Sequence, residues 1–150
     1  MRSNATAKTK SALKWALPSL AVLLAAGWFL WQAVFPTTTV TINNHVLNVT
    51  VVDTVESRAK GLGGRSELPA GEGMLFDFSR PDRTCFWMKD MQFPIDMIWI
   101  DPQGRVTHIE RNVLPETYPN KYCGDGQYVL EVRAGTVADI DLQTGQVVHF

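Results

Sequence analysis

The stretch Gly73–Asp101, GMLFDFSRPDRTCFWMKDMQFPIDMIWID, decides how the rest of the chain is read. Its last segment, Ile95–Ile100 (IDMIWI), is apolar at every position but one. That is the pattern of a strand covered on both faces, not of one that alternates towards solvent. Upstream, residues 73–78 and 84–88 read as two further strands, separated by a turn over 79–83 that carries Pro81. The same stretch holds Trp87 and Trp99, Cys85, a Lys89–Asp90 pair and one carboxylate, Asp96, set among apolar residues. The centre of the fold and any functional site are both expected here.

Working towards the C-terminus, Pro102-Gln103-Gly104 makes a turn and residues 105–110 form a hairpin partner. Residues 112–127 lack periodicity and read as a long loop, the kind that is often functional. Residues 128–132 form another strand, in which alternation places Glu131 outward. A helical turn opens near Gly135 with Thr136 as its cap, and residues 147–150 close the chain as a last strand. Towards the N-terminus, residues 39–43 and 45–53 are β-branched runs flanking Asn43-Asn44, whose tolerance of positive φ suits a two-residue hairpin turn. Thr54 caps a short helix reaching Leu62 and ended by glycines, followed by a polar loop over 65–72. Short strands at close spacing with one or two small helices predict a mainly β, α+β domain, small and β-barrel-like.

Ahead of this domain, Trp15–Phe35 contains no charged side chain over 21 residues. At about 1.5 Å rise per residue that length matches a bilayer core of roughly 30 Å. A single transmembrane helix is expected, since the far end, Trp28 to Phe35, is too bulky for signal-peptide cleavage. A cleaved signal peptide and a buried core helix are the competing readings. Arg2, Lys8, Lys10 and Lys14 precede the apolar run with no acidic residue, so the positive-inside bias places the N-terminus in the cytoplasm. The expected organisation is a cytoplasmic basic tail (1–14), a membrane anchor (15–35), a linker (36–38) and a periplasmic or extracellular domain (39–150). That domain carries 10 basic against 15 acidic residues, net −5, which offers no electrostatic footprint for nucleic acid.

Cys85 and Cys123 both fall in the domain, and an oxidising compartment favours a disulfide between them. A metal site lacks partners, because His45, His108 and His149 are scattered, and no metal or cofactor is expected. A catalytic thiol is disfavoured because Cys85 lies in an apolar-aromatic run, where burial keeps a thiol inert. The sequence also lacks the phosphate-cradling glycine loop, HExxH, GxSxG and CxxC.

Asp96 is the anomaly. A carboxylate in an apolar strand must be partnered or titrate abnormally. It is either a structural carboxylate accepting from loop amides or from an arginine such as Arg58, or a general acid or base in a pocket. Lys89 beside Trp87 forms either a solvated turn or a small polar binding site. Trp99 reads as core, and Tyr118 in the long loop rims a groove or packs the loop down.

Taken together, RAKGLGGRSELPAGEGMLFDF, CFWMKDMQFPIDMIWIDPQGRV and YVLEVRAG resemble DUF192, a prokaryotic family of uncharacterised function. The family pattern runs GL-x-x-R, GMLF, FWMKNT, P-[LI]-D and YVLE-x-x-AG, and the likeness covers roughly residues 49–148. The resemblance implies a small, mainly β, often exported domain with a short helix. It places Arg65, Trp87, Lys89 and Asp96 on motif positions but assigns no catalytic role. This chain departs from the pattern at Gly63, where methionine is common, and at Asp90-Met91, which replaces Asn-Thr.

Three functions are consistent with these features. The first is a membrane-anchored, non-enzymatic module binding a small molecule, an envelope glycan or a protein partner through Trp87, Lys89, Asp96, Arg65 and Tyr118. The second is an enzyme using Asp96 and Lys89 as an acid–base pair. The third is a structural domain of an envelope complex.

Overall fold

The computed structural model describes residues 36–150. The tail and anchor expected over residues 1–35 lie outside the described residues. Among the described residues no helix is long and apolar enough to cross a membrane.

Asn43 and Asn44 both adopt positive φ, 47° and 64°, as a two-residue hairpin turn demands. They join β1 (Thr37–Ile42) to β2 (His45–Val52), so the first strand begins inside the segment read as a linker. Helix α1 (Val55–Lys60) follows, capped as expected: Thr54 Oγ1 accepts from the Ser57 amide at 3.1 Å, and Ser57 Oγ accepts from the Thr54 amide at 3.1 Å.

Two expectations are corrected in the next segment. β3 (Glu72–Phe86) is one long strand, not two, and β6 (Tyr122–Arg133) begins well before residue 128. The Pro81 region is absorbed as an irregularity, with the β3–β6 register shifting between Asp77 and Asp82. Most of residues 112–127 is therefore not loop. β5 (Val106–Val113) runs into it from one side, β6 enters from the other, and a 3₁₀ turn (Pro115–Thr117) lies between. The glycines that make residues 122–127 look like a loop serve the strand. A Cβ on Gly124 would lie 2.6 Å from the Trp99 ring, and one on Gly126 would lie 2.7 Å from the Ile100 carbonyl oxygen. Glycine in a strand marks such close approach.

With β4 (Ile95–Ile100), the strands form one six-stranded sheet in the order β1-β2-β3-β6-β4-β5, with β2 and β3 parallel and the other pairs antiparallel. The sheet is not closed into a barrel. Its edge strands β1 and β5 do not pair with each other; the C-terminal segment forms one bridge to β1, Thr41 with His149, and one to the residue before β5, Arg105 with Val147. Those two bridges are also all that forms of the strand expected over 147–150.

Both faces of the sheet are covered, as the unbroken burial of β4 requires. One face carries Leu75, Ile98, Ile100, Leu130 and Val132 and is packed by Val137 and Ile140, from and just after helix α2 (Thr136–Asp139), with Leu142 and Val148. The cap of α2 is Gly135, at φ 92°, instead of Thr136. The opposite face carries Met74, Phe76, Met97, Trp99 and Val129, covered by Leu62, Leu68 and Met88. The Trp99 indole donates to Thr84 Oγ1 at 3.0 Å, so this buried core residue leaves no polar atom unpaired.

Cys85 and Cys123 are directly opposed on β3 and β6 and form a disulfide, Cα atoms 4.1 Å apart. Cys85 is exposed, not buried as its neighbours suggest, and it is the bond that removes its thiol chemistry. Reducing this bond is expected to lower the unfolding free energy by about 2–4 kcal/mol, because it releases a constraint on the unfolded chain. Urea unfolding with and without reductant measures the loss.

Candidate functional site

Asp96 and Glu131 are the two buried carboxyl groups among the described residues, and the sheet separates them. Asp96 projects into the face packed by α2. Its Oδ1 accepts from the Asn112 amide at 2.8 Å and its Oδ2 from the Val137 amide at 2.9 Å. One carboxylate thereby ties the β5 terminus and the first turn of α2 to the central sheet. Arg58 is not its partner: that guanidinium donates to the carbonyls of Asp53 and Asp77 and stacks 5.0 Å from the Phe78 ring centroid.

Glu131 lies on the opposite face, in register between Met74 of β3 and Met97 of β4. Alternation does place Glu131 on the face away from Leu130 and Val132, but that face is not solvent. It is roofed by the segments after α1 and β3, and Glu131 is only 5% exposed. Among the described residues its carboxyl has no hydrogen-bond or ion-pair partner. Burial pushes its pKa up from 4.5 to about 8, since nothing nearby compensates the lost hydration of the charged form.

What Glu131 meets is a cavity of about 760 Å³ between α1 and its following turn, β3 and the segment after it. Phe76, Phe78, Phe86 and Trp87 give it aromatic walls. The first three are braced edge to face, with Phe86 4.8 Å from Phe76 and 6.2 Å from Phe78 between centroids. Trp87 is 50% exposed, so that end of the cavity is its mouth. Arg58, Lys60, Lys89 and Asp90 supply the charged lining. The Gly64 amide donates to the Asp90 carbonyl at 2.8 Å, joining the turn after α1 to the loop that carries Lys89.

Of the residues singled out in sequence, the structure gathers Trp87 and Lys89 at this cavity. Tyr118 packs edge to face on the outer side of Trp87, 6.5 Å between centroids, and Lys121 Nζ lies 5.6 Å from the Trp87 ring centroid. Arg65 is half-buried and does not line the cavity. Asp96 is on the far side of the sheet, its oxygens bound to backbone amides, so an acid–base pair of Lys89 with Asp96 is not assembled. Glu131 was missed, although the signal that marked Asp96, a carboxyl between apolar neighbours in a strand, is equally present in Leu130-Glu131-Val132. Among the described residues no group of three His, Cys, Asp or Glu side chains is placed to hold a metal.

A family model for DUF192, described as an uncharacterized ACR, matches residues 38–150. Among curated proteins, none matches the chain. Solved structures share the fold, among them the following two. One, from Sinorhizobium meliloti 1021 and described as a candidate transcription regulator, has 29% identity and a TM-score of 0.72, covering 77% of this chain and 94% of its own. The other, a protein of unknown function from Novosphingobium aromaticivorans DSM 12444, has 32% identity and a TM-score of 0.70, covering 77% of this chain and 85% of its own.

Proposed function

The chain belongs to the DUF192 family, and from that premise we propose that it is a binding module which takes a small, largely apolar molecule into the cavity beneath α1. The observation that carries this reading is the cavity itself. Its size falls in the range of small-molecule sites and its walls are aromatic, as such sites require. Lys89 at the mouth suits a polar or anionic outer end of the ligand.

The position of this module in the cell is part of the proposal. The apolar run over residues 15–35 behind a basic N-terminus supports an anchored domain on the outer side of a membrane. A disulfide in the domain is in keeping with an oxidising compartment. Labelling of an engineered surface cysteine in intact cells by a membrane-impermeant reagent tests it; protection of the domain until lysis refutes it.

The binding reading is tested by filling the cavity. Ala59 lines it from α1 yet is exposed, so Ala59→Trp narrows the space without cutting into the core. In a thermal-shift screen of small aromatic and aliphatic compounds, ligands that stabilise the wild-type chain are expected to lose at least about tenfold in affinity with Ala59→Trp, because a ligand raises stability only through its binding to the native state. Equal stabilisation of both proteins places the binding elsewhere.

A further inference from the structure

The cavity's deep end is chemically distinct from its mouth. Glu131 is a carboxyl 95% removed from solvent that no other group among the described residues engages by a hydrogen bond or ion pair, and it lines a space large enough for a ligand. A carboxyl this far removed from solvent and without a protein partner is poorly hydrated, so an incoming group can supply what water does not. The surroundings decide what that group is. Beside Glu131 in the sheet stand Met74, Met97 and Val129, all buried and apolar. From α1 come Arg58 and Lys60; from the loop after β3 come Lys89 and Asp90; Cys85 of β3 is locked in the disulfide; Arg133, two residues on along β6, is exposed. Asp96 on β4 faces the other side of the sheet. Burial accounts for the displaced titration of Glu131, and at neutral pH the group is an uncharged acid with one O–H to donate. The cationic excess of the remaining lining disfavours a ligand that is itself a cation.

Resting on the cavity reading, we propose that Glu131 is the specificity-determining residue of the site, donating a hydrogen bond from its carboxylic acid to a neutral carbonyl oxygen at the inner end of an apolar ligand. An uncharged donor beside aromatic walls accepts a ketone, ester or amide oxygen without burying a net charge. A buried ammonium would have to be stripped of its hydration as well as ionise the acid.

Three probes sharing one carbon skeleton separate the possibilities: butylbenzene, 4-phenylbutan-2-one and 4-phenylbutan-2-amine, titrated calorimetrically into the full chain. The ketone is expected to bind about five- to tenfold more tightly than the hydrocarbon at about pH 6, the gain of one buried hydrogen bond. That gain disappears at about pH 9.5, where the acid is ionised, and also with Glu131→Ala. With Glu131→Gln, which keeps a donor that does not titrate, the ketone gain persists at both pH values. Tighter binding of the amine than of the hydrocarbon overturns the proposal. So does a ketone gain that survives Glu131→Ala, or a ketone that binds no better than butylbenzene; in each case the cavity reading stands on the hydrocarbon's own binding. If none of the three binds the wild-type chain, both readings fall.

Discussion

Glu131→Gln is expected to raise the unfolding free energy of the domain by roughly 3–5 kcal/mol at pH 8 and to leave it nearly unchanged at pH 4. The sign follows from the two protonation states. In the unfolded chain the carboxyl releases its proton near 4.5, whereas in the fold it holds the proton up to about 8. Between those values folding takes up a proton, so stability falls by about 1.4 kcal/mol for each unit of rising pH. Below the unfolded value both states are protonated and the penalty vanishes; above the folded value it is constant. Glutamine occupies the same space and never ionises, so the stability difference between variant and wild type isolates this one group from the other carboxylates. Denaturant unfolding of the two proteins across that range measures it. A difference independent of pH would mean that the carboxyl is hydrated in the native state. A residue that weakens the fold and has no polar partner among the described residues is also what a site built for a ligand tends to retain.

Asp96→Ala is expected to have the opposite effect, a loss of about 2–4 kcal/mol. Truncation removes both acceptors at once: the buried Val137 amide is left facing an apolar interior, and the part-buried Asn112 amide loses a partner that water replaces in part. The stranded buried Val137 donor costs about 1–3 kcal/mol, and the space vacated by the carboxylate adds a cavity term. Hydrogen exchange localises the damage: the Val137 and Asn112 amides lose protection even where the sheet remains intact. Because Asp96 lies across the sheet from the cavity, whatever fraction of the protein remains folded should still bind the cavity probes with wild-type affinity. Loss of binding by folded Asp96→Ala protein would couple the two faces.

These two substitutions show how far local sequence reaches. Both carboxyls stand between apolar residues in a strand, and local pattern alone treats them alike. Asp96 could be recognised as anomalous because β4 is apolar throughout. Glu131 was placed outward because a period of two assigns its face but not what covers that face. The cover consists of Leu62, Leu68 and Met88, all remote from Glu131 in sequence. Similarly, the glycines at 124 and 126 carry a loop signature, and only the Trp99 ring and Ile100 backbone against them explain why they belong to a strand.

Composition and order alone determined the mainly β class, the hairpin at Asn43-Asn44, the capped helix after Thr54, the doubly buried β4 and the family, because each rests on residues adjacent in the chain. The pairing of Cys85 with Cys123 was expected from two cysteines in one domain, on the expectation that the domain is exported, and the register of β3 against β6 makes it. Tertiary structure alone decided that the sheet stays open, that β3 and β6 are long continuous partners, and that Asp96 and Glu131 face opposite ways. It also gathered Trp87 and Lys89 around a cavity whose deep carboxyl was not singled out. The physical reason is common to all of these. Burial, and with it the protonation of a carboxyl, depends on which distant segments displace water from a face, and that is a property of packing that no local spacing encodes.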